Sequence, residues 1–182
     1  IDAGVGTYTR QTFGPERYSI WTMQSEYHNL PLINGKPQLF GAQYKAINTK
    51  FDAGKNQFST NISNAYTKET GIKYWTRTYR LETNTLSIDD RFELNSTLAP
   101  NALHFLVWAR PVVEKDGTIL LEKDGTKLSL RYDAGIFGYA VDTIPQTDKR
   151  LSGVWGDNIY RIRLTAKKMQ LKGQYRILIR KE

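Results

Sequence analysis

The sequence predicts an all-β fold, an antiparallel two-sheet β-sandwich with little or no helix. Three observations predict it. Short segments rich in aromatic and β-branched residues recur along the chain. Asp-Gly pairs, which favour tight hairpins, punctuate them. Nowhere does an apolar period of 3.6 persist for three turns with caps at both ends.

The elements follow in order. Leu30, Leu32 and Ile33 followed by Asn34-Gly35 read as a strand entering a turn. Residues 61–71 have room for one short helical turn. The segment 72–81, IKYWTRTYRL, alternates large and polar side chains, as does 86–94, LSIDDRFEL. LHFLVWA at 103–109 has the near-continuous apolar character of a buried strand. EKDGT then occurs twice, at 114–118 and 122–126, with Ile119-Leu120-Leu121 between the copies. Both residues of an Asp-Gly turn accept positive φ, so the repeat predicts a tight antiparallel meander and not a solenoid. Further strands are expected at 128–132, 136–141, 159–165 and 174–180.

A chain of 182 residues with no linker or shift in composition is expected to form one domain, residues 1–182. It opens on Ile1-Asp2-Ala3-Gly4 and not on methionine, so it reads as either a processed chain or, more simply, a piece of a longer protein. There are no cysteines, which excludes disulfides and thiolate metal sites. No apolar run approaches the roughly 18 residues of a membrane span, so no membrane partner is expected. The 26 basic and 18 acidic residues give a net charge of +8, which favours anionic partners. The basic residues are scattered, with Lys167-Lys168 and Arg180-Lys181 the densest groups, so nucleic acid is not expected as a partner.

Several enzyme signatures are missing. Gly4-Val5-Gly6 lacks the third glycine and the helix of a dinucleotide loop, and no phosphate loop, HExxH or GxSxG occurs. Two histidines remain. His104 shares strand alternation with Ala102, Leu106 and Trp108, which fits a structural histidine hydrogen-bonded within the sheet. His28 follows Tyr18, Trp21 and Tyr27 and precedes Asn29 and Pro31. Aromatic rings beside polar groups suit a sugar site, yet tyrosine and tryptophan are also ordinary strand residues; composition alone favours a core role.

IDAGVGTYTRQTF, then RY, then IWTMQSEYHNLPLINGKPQ resembles the β-sandwich domain of heparinase II/III-like polysaccharide lyases. The order of an acidic DxG strand end, a tyrosine-bearing loop, an HN pair and an NG…Q turn carries the resemblance over residues 1–44. Trp108, Arg110 and Pro111 add a weaker match. The resemblance implies a parent protein with an N-terminal α/α-toroid followed by this sandwich. It also implies an acidic, uronate-containing polysaccharide as substrate, cleavage by β-elimination, and a periplasmic or secreted location.

Residue by residue, Asp2 and His28 are similar to two ligands of a structural zinc site, whose third histidine would lie upstream. Tyr18 falls where some members place a second active-site tyrosine, with Tyr8 and Tyr27 as competitors. Since the family's main proton-abstracting groups lie in the toroid, the resemblance implies that this chain alone is inactive. The alternative is a non-catalytic carbohydrate-binding or accessory module.

Overall fold

The computed structural model describes residues 1–115 and 117–182. Asp116, the first residue of one expected Asp-Gly turn, lies outside the described residues. Two antiparallel sheets pack face to face. The smaller contains β1 (Pro31–Leu32), β6 (Ala102–Val107), β11 (Asn158–Ala166) and β10 (Phe137–Pro145), in that order. The larger runs β2 (Ile47–Asp52), β3 (Gln57–Asn61), β4 (Ile72–Glu82), β5 (Thr85–Leu94), β12 (Lys172–Lys181), β9 (Thr126–Tyr132), β8 (Thr118–Lys123) and β7 (Val112–Lys115). The expected two-sheet sandwich is thus the observed one.

Strand alternation explains the layering. In β4, Trp75 and Arg77 point inward and are buried, while Thr76 and Thr78 face out. Trp75 stacks on Phe92 at 4.8 Å, and Phe92 and Phe137 each lie 4.8 Å from the ring of Tyr175. Leu103, Phe105, Ile162 and Leu164 close this core from the smaller sheet. These rings and the aliphatic side chains around them bury apolar area worth about 25 cal/mol per Å².

The meander is present. Asp124 (φ 50°) and Gly125 (φ 76°) make a two-residue turn between β8 and β9, in the left-handed region that Asp-Gly supplies. Asn34 (φ 51°) and Gly35 (φ 72°) make a second turn of this kind, bridged by Ile33 and Lys36. Asn34 is buried yet satisfied: its amide donates to the carbonyls of Thr70 and Ser96, and its side-chain oxygen accepts from Leu98 N.

The structure differs from the sequence reading at four places. β2 and β3 were not expected: INTKFD is largely exposed, and QFSTN buries only Thr60, so neither segment carries an apolar, core-facing alternation. A seven-residue helix, α1 (Lys149–Trp155), follows Asp148, whose carboxylate caps it by accepting from Arg150 N and Leu151 N. Trp108 lies beyond the end of β6. The 61–71 segment holds two short 3₁₀ turns, Ser63–Ala65 and Lys68–Thr70.

Four more 3₁₀ turns between Arg10 and Tyr27 cross the outer face of the smaller sheet. A second apolar cluster lies beneath this layer: Ala3, Leu106 and Ile159 with Trp21, Trp108 and Trp155 around them. The indole N–H of Trp155 donates to the Ala3 carbonyl at 3.0 Å.

One ion pair links the large sheet to this layer. Arg77 and Asp90 are opposite each other on β4 and β5, both buried, and form a bidentate pair at 2.8 and 2.7 Å. The Trp75 indole also donates to Asp90, at 2.8 Å. The remaining Arg77 nitrogen, Nη1, donates to the Asn29 carbonyl at 2.9 Å. Asp90→Ala would leave a buried guanidinium unpaired and is expected to cost about 3–5 kcal/mol in urea unfolding. The double variant Arg77→Met, Asp90→Leu should recover much of that; a loss under about 1 kcal/mol for Asp90→Ala would refute the assignment.

Candidate functional site

His28 ends the last 3₁₀ turn, and its backbone N–H donates to the Ser25 carbonyl. Asn29 then fixes the next step of the chain. Its side-chain amide donates to the Ile1 carbonyl at 2.9 Å, and its side-chain oxygen accepts from Leu106 N on β6 at 2.8 Å. The Ile1 nitrogen in turn donates to the Leu106 carbonyl at 2.8 Å. Residues 1–3 are therefore laid against β6 beside the histidine.

This clamp brings Asp2 and His28 together across 26 positions. His28 Nδ1 lies 2.8 Å from Asp2 Oδ2, and Nε2 lies 3.3 Å from the Thr22 carbonyl. The other Asp2 oxygen accepts from Gly4 N at 2.9 Å, where Gly4 takes φ 75°. Partial burial opposes the Asp2 charge, but the Gly4 amide and the His28 ring outweigh it and hold the carboxyl below its usual range. Both side chains keep access to solvent.

One imidazole nitrogen and one carboxylate oxygen are suitable zinc donors, at about 2.0–2.2 Å from the ion. Donors adjacent in a tetrahedral shell lie about 3.3 Å apart at those lengths, so the 2.8 Å contact needs only a small opening to admit an ion. Among the described residues, no group of three or more His, Asp or Glu side chains converges. Two donors fit zinc chemically but do not complete its shell.

Tyr18 is elsewhere on the same layer. Its ring stacks on Phe40 at 3.5 Å and 4°, with the Arg17 guanidinium 5.2 Å away. Among the described residues, no hydrogen bond or ring contact joins it to Asp2 or His28. Of its competitors, Tyr8 is exposed, lies 5.6 Å from Phe13 and carries Arg150 over its ring. Tyr27 packs edge-on to Trp21 at 5.2 Å, beneath Arg161 at 4.6 Å. Ile1, Tyr8, Phe13, Leu39 and Phe40 are exposed large apolar residues of this segment, and others, Phe51, Leu81 and Val154 among them, lie elsewhere on the chain.

His104 is buried on the outer face of β6, across from Arg163. Desolvation, reinforced by the charges of Arg161 and Arg163, brings its pKa down to about 4. It is a neutral structural histidine. The sequence reading missed the polar cluster around it. Arg161 and Arg163 both bind Asp142, at 3.0 and 2.8 Å, and Arg161 Nη1 donates to the Glu26 carbonyl at 3.1 Å. The only signal was the alternation in IYRIRL, which reads as an ordinary solvated face.

No protein-family profile matches the sequence, and no curated protein matches it. Solved structures do. The heparan sulfate lyase HepC from Pedobacter heparinus superposes with a TM-score of 0.71 at 16% identity, over 99% of this chain and 28% of that one. This chain shares its fold with that part of the HepC structure. A heparinase III structure agrees, with a TM-score of 0.66 and 15% identity over 100% of this chain and 28% of that one. The chain thus spans little more than a quarter of the length of these lyases.

The His104 environment fixes a pH dependence. A histidine whose folded pKa is depressed binds its proton more readily in the unfolded chain, so stability is fully present above about pH 6.5 and falls towards about pH 4. The loss across that window should be about 3 kcal/mol, followed below about pH 4 by a further loss from Asp2 and from Asp142. Burial opposes the Asp142 charge, but Arg163 and Arg161 hold that carboxyl low. Urea unfolding at pH 7 and 4.5 should show most of the difference vanish in His104→Gln; an unchanged slope would refute the assignment.

Proposed function

We propose that this chain is the β-sandwich domain of a heparinase II/III-like polysaccharide lyase that acts by β-elimination on uronate-containing acidic polysaccharide. In this reading residues 1–182 form one domain, set behind an N-terminal toroid in a longer, periplasmic or secreted protein. The observation that supports the proposal is structural likeness of the whole of this chain to 28% of two heparinases, combined with the Asp2–His28 contact at the position where the sequence resembles them. The net charge of +8 agrees with an acidic substrate. Among the described residues no helix is long and apolar enough to cross a membrane.

The chemistry divides between the two parts of such a protein. In β-elimination, neutralising the uronate carboxylate acidifies the C5 proton. A base removes that proton, the C4–C5 double bond forms, and an acid protonates the departing C4 oxygen. The base and acid would belong mainly to the toroid, which leaves this domain inactive alone. Tyr18 would help to position the sugar or assist proton transfer at the cleft edge. Its hydroxyl makes no hydrogen bond among the described residues, and its ring is held by Phe40.

Asp2 and His28 would be two ligands of a structural zinc, with the third from an upstream histidine. Bound there, zinc would supply a cross-link between the chain start and the turn ending at His28. In the longer protein, His28→Ala should lower zinc content and melting temperature together; unchanged zinc stoichiometry would remove the ligand assignment. Tyr18→Phe should reduce kcat at least tenfold with the melting temperature unchanged, and full turnover would exclude Tyr18 from the site.

A further inference from the structure

The outward face of β3, β4, β5 and β12 forms a depression of about 810 Å³. It lies on the opposite side of the sandwich from His28. The inward residue Arg77 reaches the Asn29 carbonyl, whereas its neighbours Thr76 and Thr78 point into the depression. The floor is low because small hydroxyl residues occupy its middle, while longer side chains form the rims.

Charge in the depression is distributed unevenly. Asp89 is already neutralised by Arg176, whose Nε lies 2.6 Å from it, and it accepts from the Gln174 amide at 3.2 Å. Glu82 lies 3.4 Å from Arg80. Arg91 has no acidic partner among the described residues, although it stands between the two flanking strands, across from Thr76 on β4 and Gln174 on β12. It is exposed, and on the sheet surface it is diagonal to Arg176 and Tyr74, within about 7–8 Å. One uncompensated guanidinium is thus flanked by a hydroxyl, an amide and an aromatic ring.

We propose that this depression is a second binding site, for an anionic oligosaccharide, with Arg91 as its anion-binding centre. A planar guanidinium engages carboxylate or sulfate in two parallel hydrogen bonds. Thr76, Thr78 and Gln174 offer donors and acceptors to sugar hydroxyls, and Tyr74 offers a face to a pyranose ring. Single-stranded nucleic acid is the poorer fit, since it needs several stacking rings and an unbroken positive track, whereas this groove has one tyrosine and two carboxylates. The inference does not rest on the lyase reading, because the ligand class follows from the groove itself.

Titration of the 182-residue chain with a heparin-derived hexasaccharide and with an unsulfated oligouronate tests it by calorimetry. Both should bind, a neutral glucan hexasaccharide should not, and Arg91→Gln should weaken binding at least fivefold with an unchanged melting temperature. Arg91→Glu should weaken it further. Lys149→Gln, which removes one charge from α1 on the other side of the sandwich, should leave affinity unchanged. No binding by the unmodified chain, equal affinity in Arg91→Gln, an equal loss in Lys149→Gln, or equal binding of the neutral glucan would each overturn the proposal. Displacement of the hexasaccharide by oligo-dT at equal affinity would reassign the groove to nucleic acid.

Discussion

The buried pair of Arg77 and Asp90 is the constraint on which the functional layer rests. Two charges in a core are tolerated only when all their hydrogen-bonding capacity is used. Asp90 is satisfied by Arg77 and the Trp75 indole. Of the guanidinium N–H groups not turned to Asp90, one on Nη1 donates to the Asn29 carbonyl. The core's own polar requirement therefore determines where the segment around His28 attaches. From Asn29 the order passes to Ile1 and Leu106, and so to the Asp2 carboxylate. A site on the surface inherits its position from a pair at the centre.

Most of the sandwich was legible because two-residue periodicity survives wherever a strand has one face on the core. β4, β5 and β12 each place every second side chain in the core where they cross it: Trp75 and Arg77; Ile88, Asp90, Phe92 and Leu94; Tyr175 and Ile177. β2 escaped because it has no buried face to announce it. α1 escaped because two turns containing Gly153 carry too little period, and its one clear sign is the capping Asp148. The roles for Asp2 and His28 came from the resemblance and not from local chemistry. A contact across 26 residues has no signature in spacing, and the amide clamp that makes it is read only in three dimensions.

The structural likeness and the sequence carry different weights. At 15–16% identity the heparinase structures establish a shared fold, and the chain spans about 28% of their length. The exposed aromatic rings of residues 1–44 and the polar depression of the large sheet are surfaces of opposite character on opposite sides of one sandwich. An apolar, ring-bearing surface suits protein, whereas a hydroxyl- and guanidinium-lined one suits a hydrated polyanion. The two sides of the sandwich therefore differ in chemistry, one exposing apolar rings and the other hydroxyl, amide and guanidinium groups.

The double role of the Asn29 side chain has a chemical consequence. It donates at one end and accepts at the other, to Ile1 and from Leu106 respectively, which a carboxylate at neutral pH cannot do because it only accepts. Deamidation to aspartate would set a carboxylate oxygen against the Ile1 carbonyl, so the chain start would be repelled where it is now held. A single amide thus couples the chain start to β6, and its replacement by a carboxylate would leave the bonds from the Ile1 nitrogen to Leu106 and from the Trp155 indole to Ala3 to hold residues 1–3 there.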